Sequence, residues 1–276
     1  MPKRISSVVG REFGNGICAA LRDAGLSARR AAQILDWDEA KISALANGKG
    51  GSTESEVSLL LGLCHISAAD YRRLMALFRE SREKGWLQFP ESGVPDQVRT
   101  LIEQERLANA ITVWSLNLVP GLLQVPGYTR VVTQAFVNVH GGNVEELVAA
   151  RTARREIIDS GRTFTFFVHE QALLLPIGSP ETMSDQLHEL MRMLIRPNVD
   201  LRIVPTAVGV HAGLAGSFTK LAFATFEPIV YQEGLNTSLF LEDKESMAMY
   251  QQVLEALDQQ ALDAEESKEL ITSIVT

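Results

Sequence analysis

The sequence has few cysteines and no long uninterrupted apolar run. Cys18 and Cys64 are the only two cysteines, far apart in the sequence and each next to apolar residues. A disulfide framework or a cysteine metal site therefore has little support, and we interpret both thiols as buried. Pro120 and Gly121 interrupt the apolar stretch 116–123, which is far shorter than the ~20 residues of a membrane span. The N-terminus lacks the features of a signal peptide, so we expect a cytoplasmic protein with no membrane segment.

Positive charge is scarce overall but unevenly distributed. The formal net charge of -8 by itself argues against a nucleic-acid-binding protein. Residues 1–87, however, contain 13 Lys and Arg against 10 Asp and Glu, whereas the remaining residues contain 13 against 24. The first third can approach phosphate, and the rest would be repelled by it. Together with the Pro- and Gly-containing stretch QFPESGVPD, this asymmetry predicts two domains, residues 1–87 and 88–276.

The first domain has the pattern of five short helices. Phe13, Ile17 and Leu21 recur four residues apart, on one helical face. Ser27 and Asp38 precede two further helices as N-caps, and Asn47-Gly48 ends the second of these. The inward faces of this helix-turn-helix are predicted to be Ala31, Ala32, Leu35, Ile42 and Leu45. Two amphipathic helices follow, with predicted core residues Val57, Leu60, Leu61, Cys64 and then Tyr71, Leu74, Met75, Phe78.

The second domain combines helices with short strands, so the predicted fold class is mainly α with an α+β C-terminal domain. Helical periodicity runs through 95–115, 128–136, 144–159, 180–195, 244–261 and 265–275. The β-branched and aromatic segments TFTFFVHE, VDLRIVP, SFTKLAFA, PIVYQEG and TSLFLED are predicted strands. We expect them to form a small sheet, mixed or antiparallel.

Two levels of family resemblance rest on these residues. The stretch LSARRAAQILDWDEAKISALANGKG resembles the lambda-repressor-like, or XRE, helix-turn-helix family. The rest of the chain resembles the narrower WhiJ-like group of actinobacterial regulators. The matching segments are Gly85-Trp86, LVPGLLQVPGY (118–128), LIRPNVDLRIVP (194–205), HAGLAGSFTKLAF (211–223) and VYQEGLNTSLFLED (230–243). The resemblance implies a homodimeric transcriptional regulator that binds double-stranded DNA and works with a small BldB-like partner protein, in a toxin-antitoxin-like arrangement.

The resemblance also implies which residues contact DNA. A major-groove helix presents its N-terminal residues to base edges. The implied contacts are Glu39, Ala40, Ser43 and Ala44 to bases, Lys41, Asn47 and Lys49 nearer the backbone, and Ser27, Arg29 and Arg30 at the start of the preceding helix. This sequence has Ala28 where relatives often have Gln, and Glu39 and Ala44 where they often have Arg or another long polar residue. Few side chains can therefore discriminate bases. An antitoxin-like protein-interaction module with weak or secondary DNA binding remains the alternative.

A ligand or partner groove in the second domain is the other predicted site. Val119-Pro120-Gly121 breaks any helix, and the connector either packs into the core or forms the wall of a groove. The residues predicted to line such a groove are Trp114, Leu122, Tyr128, His211 and Phe218. His169 and His211 lack a metal-ligand spacing and a paired nucleophile. We therefore expect no metal, no cofactor and no enzymatic activity.

Overall fold

The computed structural model describes residues 7–81, 86–88, 96–224, 226–234 and 237–275, without the side chains of residues 86–88, 96–99 and 140. The chain divides into two compact units, Met1–Trp86 and Leu87–Thr276. This division is one residue from the boundary predicted from the sequence. Most of the predicted linker, residues 89–95, lies outside the described residues.

The described part of unit 1 contains five helices, in the predicted order. They are α1 (Val8–Asp23), α2 (Ala28–Leu35), α3 (Glu39–Ala46), α4 (Glu54–Leu63) and α5 (Ala68–Glu80). Ser27 Oγ accepts from Arg30 N at 3.1 Å, and Asp38 Oδ1 accepts from Ala40 N at 3.0 Å. Both predicted N-caps are thus present. α1 begins at Val8, before the first residue of its apolar pattern, Phe13, because Ser7 Oγ caps Gly10 N.

The predicted core of unit 1 is mostly correct. Its buried members are Phe13, Ile17, Leu21, Ala31, Ala32, Ile42, Leu45, Val57, Leu60, Leu61, Cys64, Leu74, Met75 and Phe78. Two of these core assignments are wrong, and Cys18, which we interpreted as buried, is exposed. Leu35 is only half-buried, because it is the last residue of α2. Tyr71 is 37% exposed, because its hydroxyl lies at the surface and pairs with Ser58 Oγ at 2.8 Å.

Glycines hold the end of α3 close to α1. A Cβ built on Gly14 of α1 would lie 2.6 Å from the carbonyl oxygen of Ala46. One built on Gly48, whose φ is +63°, would lie 2.1 Å from the carbonyl oxygen of Gly10. No real Cβ fits at such distances, so only glycine permits this approach of two backbones. This contact fixes the position of the C-terminal end of α3 against α1.

Unit 2 is an α+β domain, which confirms the predicted fold class. Its helices are α6 (Asp96–Leu107), α7 (Pro126–His140), α8 (Val144–Ala153), α9 (Gln171–Leu174), α10 (Pro180–Leu194), α11 (Lys244–Gln260) and α12 (Ala264–Val275). Its strands are β2 (Ala110–Ser115), β3 (Thr163–His169), β4 (Val199–Val204), β5 (Phe218–Ala222), β6 (Ile229–Glu233) and β7 (Ser238–Leu241). Leu87 and Gln88 belong to a short strand, β1 (Trp86–Gln88), at the edge beside β7.

The sheet is mixed, with the order β1-β7-β6-β5-β2-β3-β4. β2, β3 and β4 pair in parallel, and β5, β6 and β7 continue from β2 in antiparallel pairs. The predicted helix over 95–115 is wrong in its last part, because residues 110–115 form the central strand β2. Sheet neighbours on both sides complete the hydrogen bonding of this strand, which overrides the helical periodicity that precedes it.

The two faces of the sheet are covered by different helices. Trp114, Phe218 and Val230 pack against Leu254 and Leu257 of α11. Side chains alternate along a strand, so Val113 of β2 points to the opposite face. Thr219 pairs with Val113, and Tyr231 pairs with Thr219, which brings all three onto that second face. Arg151 of α8 contacts Glu233 of β6 there, so α8 lies over this face.

Candidate functional site

The first candidate site is the helix-turn-helix formed by α2 and α3. Asp36 ends α2 in the left-handed conformation, with φ +53°, and Trp37 N donates to Ala32 O at 2.9 Å. Asp, like Asn, tolerates this conformation better than a branched residue would. The chain therefore reverses within Asp36, Trp37 and Asp38, and α3 begins with its first turn at the surface.

The N-terminal half of α3 presents a small and weakly polar face. Glu39, Ala40 and Ser43 are exposed, whereas Ala44 is half-buried. Asn47 is exposed, but its Nδ2 donates to Ser43 O at 2.7 Å and lies 3.4 Å from Ser43 Oγ. Part of its hydrogen-bonding capacity is thus used within α3. Glu39 and Ser43 remain the polar side chains on this half of the helix.

Lys41 is paired with residues of unit 1. Its ammonium forms an ion pair with Glu56 of α4 and lies 4.4 Å from the centroid of the Trp37 ring. The hydrogen bond from Lys41 is the main reason that the pKa of Glu56 lies below its ordinary value. A phosphate contact by Lys41, as implied by the family resemblance, would have to compete with Glu56.

Exposed cations precede and follow α3 along the chain. Arg29 and Arg30 are in the first turn of α2, and Lys49 follows the end of α3. The Arg30 guanidinium makes only a 3.5 Å contact with Gln33 Oε1 among the described hydrogen bonds. Ser27 lies beside these arginines, with its hydroxyl engaged as the cap of α2.

The second candidate site is a cavity of about 430 Å³ in unit 2, which we call the sheet cavity. It lies on the Val113 face of the sheet, beneath the connector 117–121. Its apolar wall includes Leu101, Val132 and Phe136, and its polar wall includes Arg151, Arg154, Tyr231 and Glu233. Exposed Asn117 and Gly234 also border it, so it is open to solvent.

The charges of the sheet cavity form two ion pairs of different strength. Arg154 is bound by both carboxylate oxygens of Glu105, at 2.9 and 2.6 Å, and both side chains are at least nine-tenths buried. Arg151 and Glu233 approach only to 3.5 Å, with their side chains 18% and 43% exposed. Burial, and then the Glu233 charge, raise the pKa of the Tyr231 phenol, which is hydrogen-bonded with Ser238 Oγ at 3.1 Å.

The structure separates the residues predicted for a groove. Trp114 and Phe218 border the sheet cavity, but their side chains point into the cluster under α11. Leu122 and Tyr128 are buried, and the Tyr128 hydroxyl accepts from Val119 N at 3.2 Å. The residues 118–123 thus serve mainly as a packed connector. His211 lies with Trp114 in a different place, on the other side of β2.

His169 and His211 form a buried cluster with Trp114. The two imidazole rings are nearly parallel, with their centroids 5.6 Å apart, and the Trp114 ring stands edge-on to both. His169 Nδ1 accepts from Gln171 N, and His211 Nδ1 accepts from Gly213 N, each at 3.2 Å. Because both Nδ1 atoms are acceptors, both rings are neutral with the proton on Nε2. Burial lowers the pKa of both, and His211 lowers that of His169 further.

The charged residues of the sheet cavity were missed in the sequence. One signal was present: Glu105 occupies an apolar position in the repeat that includes Leu101 and Ala108. A carboxylate at such a position needs a buried partner. Arg154 is 49 residues away along the chain, so the sequence did not identify it as that partner.

These observations define unit 2 as an α+β domain with a solvent-accessible cavity beside a mixed sheet. Residues 98–273, all within unit 2, match the family described as "Domain of unknown function (DUF5753)". The chain belongs to this family. None of the curated proteins matches the sequence.

Two negative findings apply to the described ranges. No group of three or more His, Cys, Asp or Glu side chains there is arranged to hold a metal ion. Within the same ranges, no helix has the length and apolar character needed to cross a membrane.

Proposed function

We propose that the protein is a cytoplasmic, DNA-binding transcriptional regulator of the XRE and WhiJ-like type, whose C-terminal unit senses a ligand or a small BldB-like partner. The main support is the exposure of Glu39, Ala40 and Ser43 on α3, together with exposed Arg29 and Arg30 on the preceding helix and exposed Lys49 just after α3. Cations at these positions can contact phosphate while α3 enters the major groove. The protein acts as a homodimer, and its two α3 helices read half-sites one helical turn, or a multiple of it, apart.

Sequence discrimination then depends on very few side chains. Glu39 can accept from a cytosine amine, Ser43 can bond either partner, and Ala40 offers a methyl contact to thymine. Binding-site selection from a random duplex pool tests this role. Glu39→Gln should change the preferred base at one position of each half-site, whereas Lys49→Gln should weaken all sequences alike. If Glu39→Gln leaves the base preference unchanged, Glu39 does not read a base and only stabilises α3 through its charge at the N-terminus of the helix.

A second candidate function is an antitoxin-like interaction module in which DNA binding is secondary. The pairing of Lys41 with Glu56 favours it, because one of the few cations near α3 is already neutralised. Binding of the full chain to the duplex upstream of its own gene, measured beside a pull-down of the adjacent small gene product, separates the two. Tight binding of the partner with no binding of the duplex would select the interaction module.

A further inference from the structure

The sheet cavity has a charge arrangement that specifies a class of ligand. We propose that it binds a small zwitterion of the α-amino acid or dipeptide class, with the ligand carboxylate on Arg151 and the ligand ammonium on Glu233. This deepens the proposed sensing role and depends on it for its biological purpose. The binding itself involves unit 2 alone and does not depend on DNA.

The charge of Arg154 is already compensated within the protein. Its guanidinium makes two hydrogen bonds to Glu105, in parallel, with 10% of the Arg154 side chain and 3% of the Glu105 side chain exposed. Charge-assisted pairs of this bidentate kind are strong and geometrically fixed. Arg154 therefore lines the cavity with its charge neutralised by Glu105.

Arg151 and Glu233 are only loosely joined. Arg151 Nη2 lies 3.5 Å from Glu233 Oε1, whereas charge-assisted hydrogen bonds are usually about 2.7 to 2.9 Å long. Both side chains border the cavity and are partly exposed. A partly solvated pair of this kind contributes little to stability, so a ligand can separate it at small cost.

A ligand with both charges matches this pair. A ligand with only a carboxylate would take Arg151 and leave Glu233 unpaired beside a second anion. A ligand with only an ammonium would leave Arg151 unpaired. A ligand that carries both charges keeps Arg151 and Glu233 each paired, whereas a single-charge ligand replaces their existing contact with only one new one.

The apolar wall accommodates the rest of such a ligand. Leu101, Val132 and Phe136 line the cavity together with Val113. The volume of about 430 Å³ lies in the lower part of the range typical of small-molecule sites. An aliphatic or aromatic amino acid side chain, or the two side chains of a dipeptide, can contact this wall.

Isothermal titration of the full chain, without DNA, tests the inference. The probes are L-leucine, L-phenylalanine and L-leucyl-L-leucine. 4-Methylpentanoate lacks the ammonium of leucine, and 3-methylbutylamine lacks its carboxylate. We expect at least one zwitterion to bind, and its single-charge analogues to bind about tenfold more weakly or worse. No binding of any of the three zwitterions up to about 10 mM would overturn the proposal.

Two variants test which residue holds which group. Glu233→Gln should weaken the zwitterion about tenfold or more and strengthen 4-methylpentanoate, because the competing anion is removed. Arg151→Gln should weaken the zwitterion similarly and strengthen 3-methylbutylamine. Arg130→Gln is the matched control, because Arg130 pairs with exposed Glu145 and is not among the residues lining the cavity. Zwitterion binding that is unchanged in both cavity variants would overturn the assignment.

The two proposals fail separately. If no zwitterion binds, titration of the same preparation with DNA still tests whether the protein is a DNA-binding regulator. Conversely, if the protein does not bind DNA but binds leucine through Arg151 and Glu233, the zwitterion proposal is supported and the DNA-binding proposal is not.

Discussion

The ammonium of Lys41 on α3 forms an ion pair with the carboxylate of Glu56 on α4. The pair joins α3 to α4. It also neutralises a cation that, according to the family resemblance, contacts the DNA backbone. DNA binding by this chain therefore depends on whether Lys41 exchanges Glu56 for phosphate.

Glu56→Gln should strengthen DNA binding. The change removes an anion next to α3 and frees Lys41, and Gln can retain the capping box that Glu56 makes with Thr53. We expect a gain of about threefold to tenfold at low salt, measured by fluorescence anisotropy on a fixed duplex. Glu54→Gln is the control, since Glu54 pairs with Arg79 of α5. Equal effects of the two changes would mean that Lys41 has no separate role.

Gly14→Ala should destabilise unit 1. The new Cβ would lie 2.6 Å from the Ala46 carbonyl oxygen, and neither backbone can yield without moving α3 from α1. We expect a loss of about 1 to 3 kcal/mol in the free energy of unfolding. Denaturation of the full chain by urea, followed by circular dichroism, measures it.

Gly62→Ala is the matched control for this change. Gly62 is also within a helix, but its Cβ would meet nothing within 4 Å. Alanine there should stabilise by about 0.5 to 1 kcal/mol. If both changes had the same sign, the close contact of α1 with α3 would not be the cause.

Arg154 and Glu105 should behave as a coupled buried pair. Glu105→Gln leaves a buried guanidinium without its counter-charge, at a cost of about 3 to 5 kcal/mol. Arg154→Met combined with Glu105→Leu removes both charges and should recover most of that loss. Urea denaturation of Glu105→Leu, Arg154→Met and the double variant provides the cycle. Simple additivity of the single changes would contradict the coupling.

Acid should weaken unit 2 through His169 and His211. Their pKa values are lowered in the folded protein, whereas an unfolded histidine titrates near pH ~6.5. The unfolded chain thus binds protons first, and the stability present above that pH is lost as the pH falls below it. Thermal midpoints between pH 8 and pH 5 should decline on the acid side.

His211→Asn should reduce this decline. Asn can accept from Gly213 N as His211 does, but it does not titrate. His65→Asn, at an exposed position, is the control. A decline of the same size in wild type and His211→Asn would mean that other groups cause it.

The sequence was sufficient for features determined locally. The caps at Ser27 and Asp38, five of the strands and the long helices of unit 2 follow from short patterns of capping residues and β-branched side chains. Features determined across the chain were not visible. Helical periodicity predicts that the preceding helix continues through β2, whereas the strand is stabilised by neighbours on both sides. The closeness of Gly14 to Ala46, and of Arg154 to Glu105, likewise depends on packing between distant segments.

The candidate ligand site shows the same difference. Trp114, Tyr128 and Phe218 were predicted to line a groove, and all three are large and aromatic. These properties equally suit the core, where their side chains lie. Arg151 and Glu233 are charged and lie 82 residues apart, so only the fold brings them to one cavity.

Titration of the full chain against the duplex upstream of its own gene, over about 50 to 200 mM salt, tests the DNA-binding proposal most directly. Affinity should fall steeply with salt, and the combined change Arg29→Gln with Arg30→Gln should reduce the slope of log affinity against log salt by about two, as expected for two lost phosphate contacts. Arg72→Gln, on exposed α5, should leave the slope unchanged. Absence of binding at the lowest salt, or an affinity independent of salt, would contradict the proposal that α3 is presented to DNA.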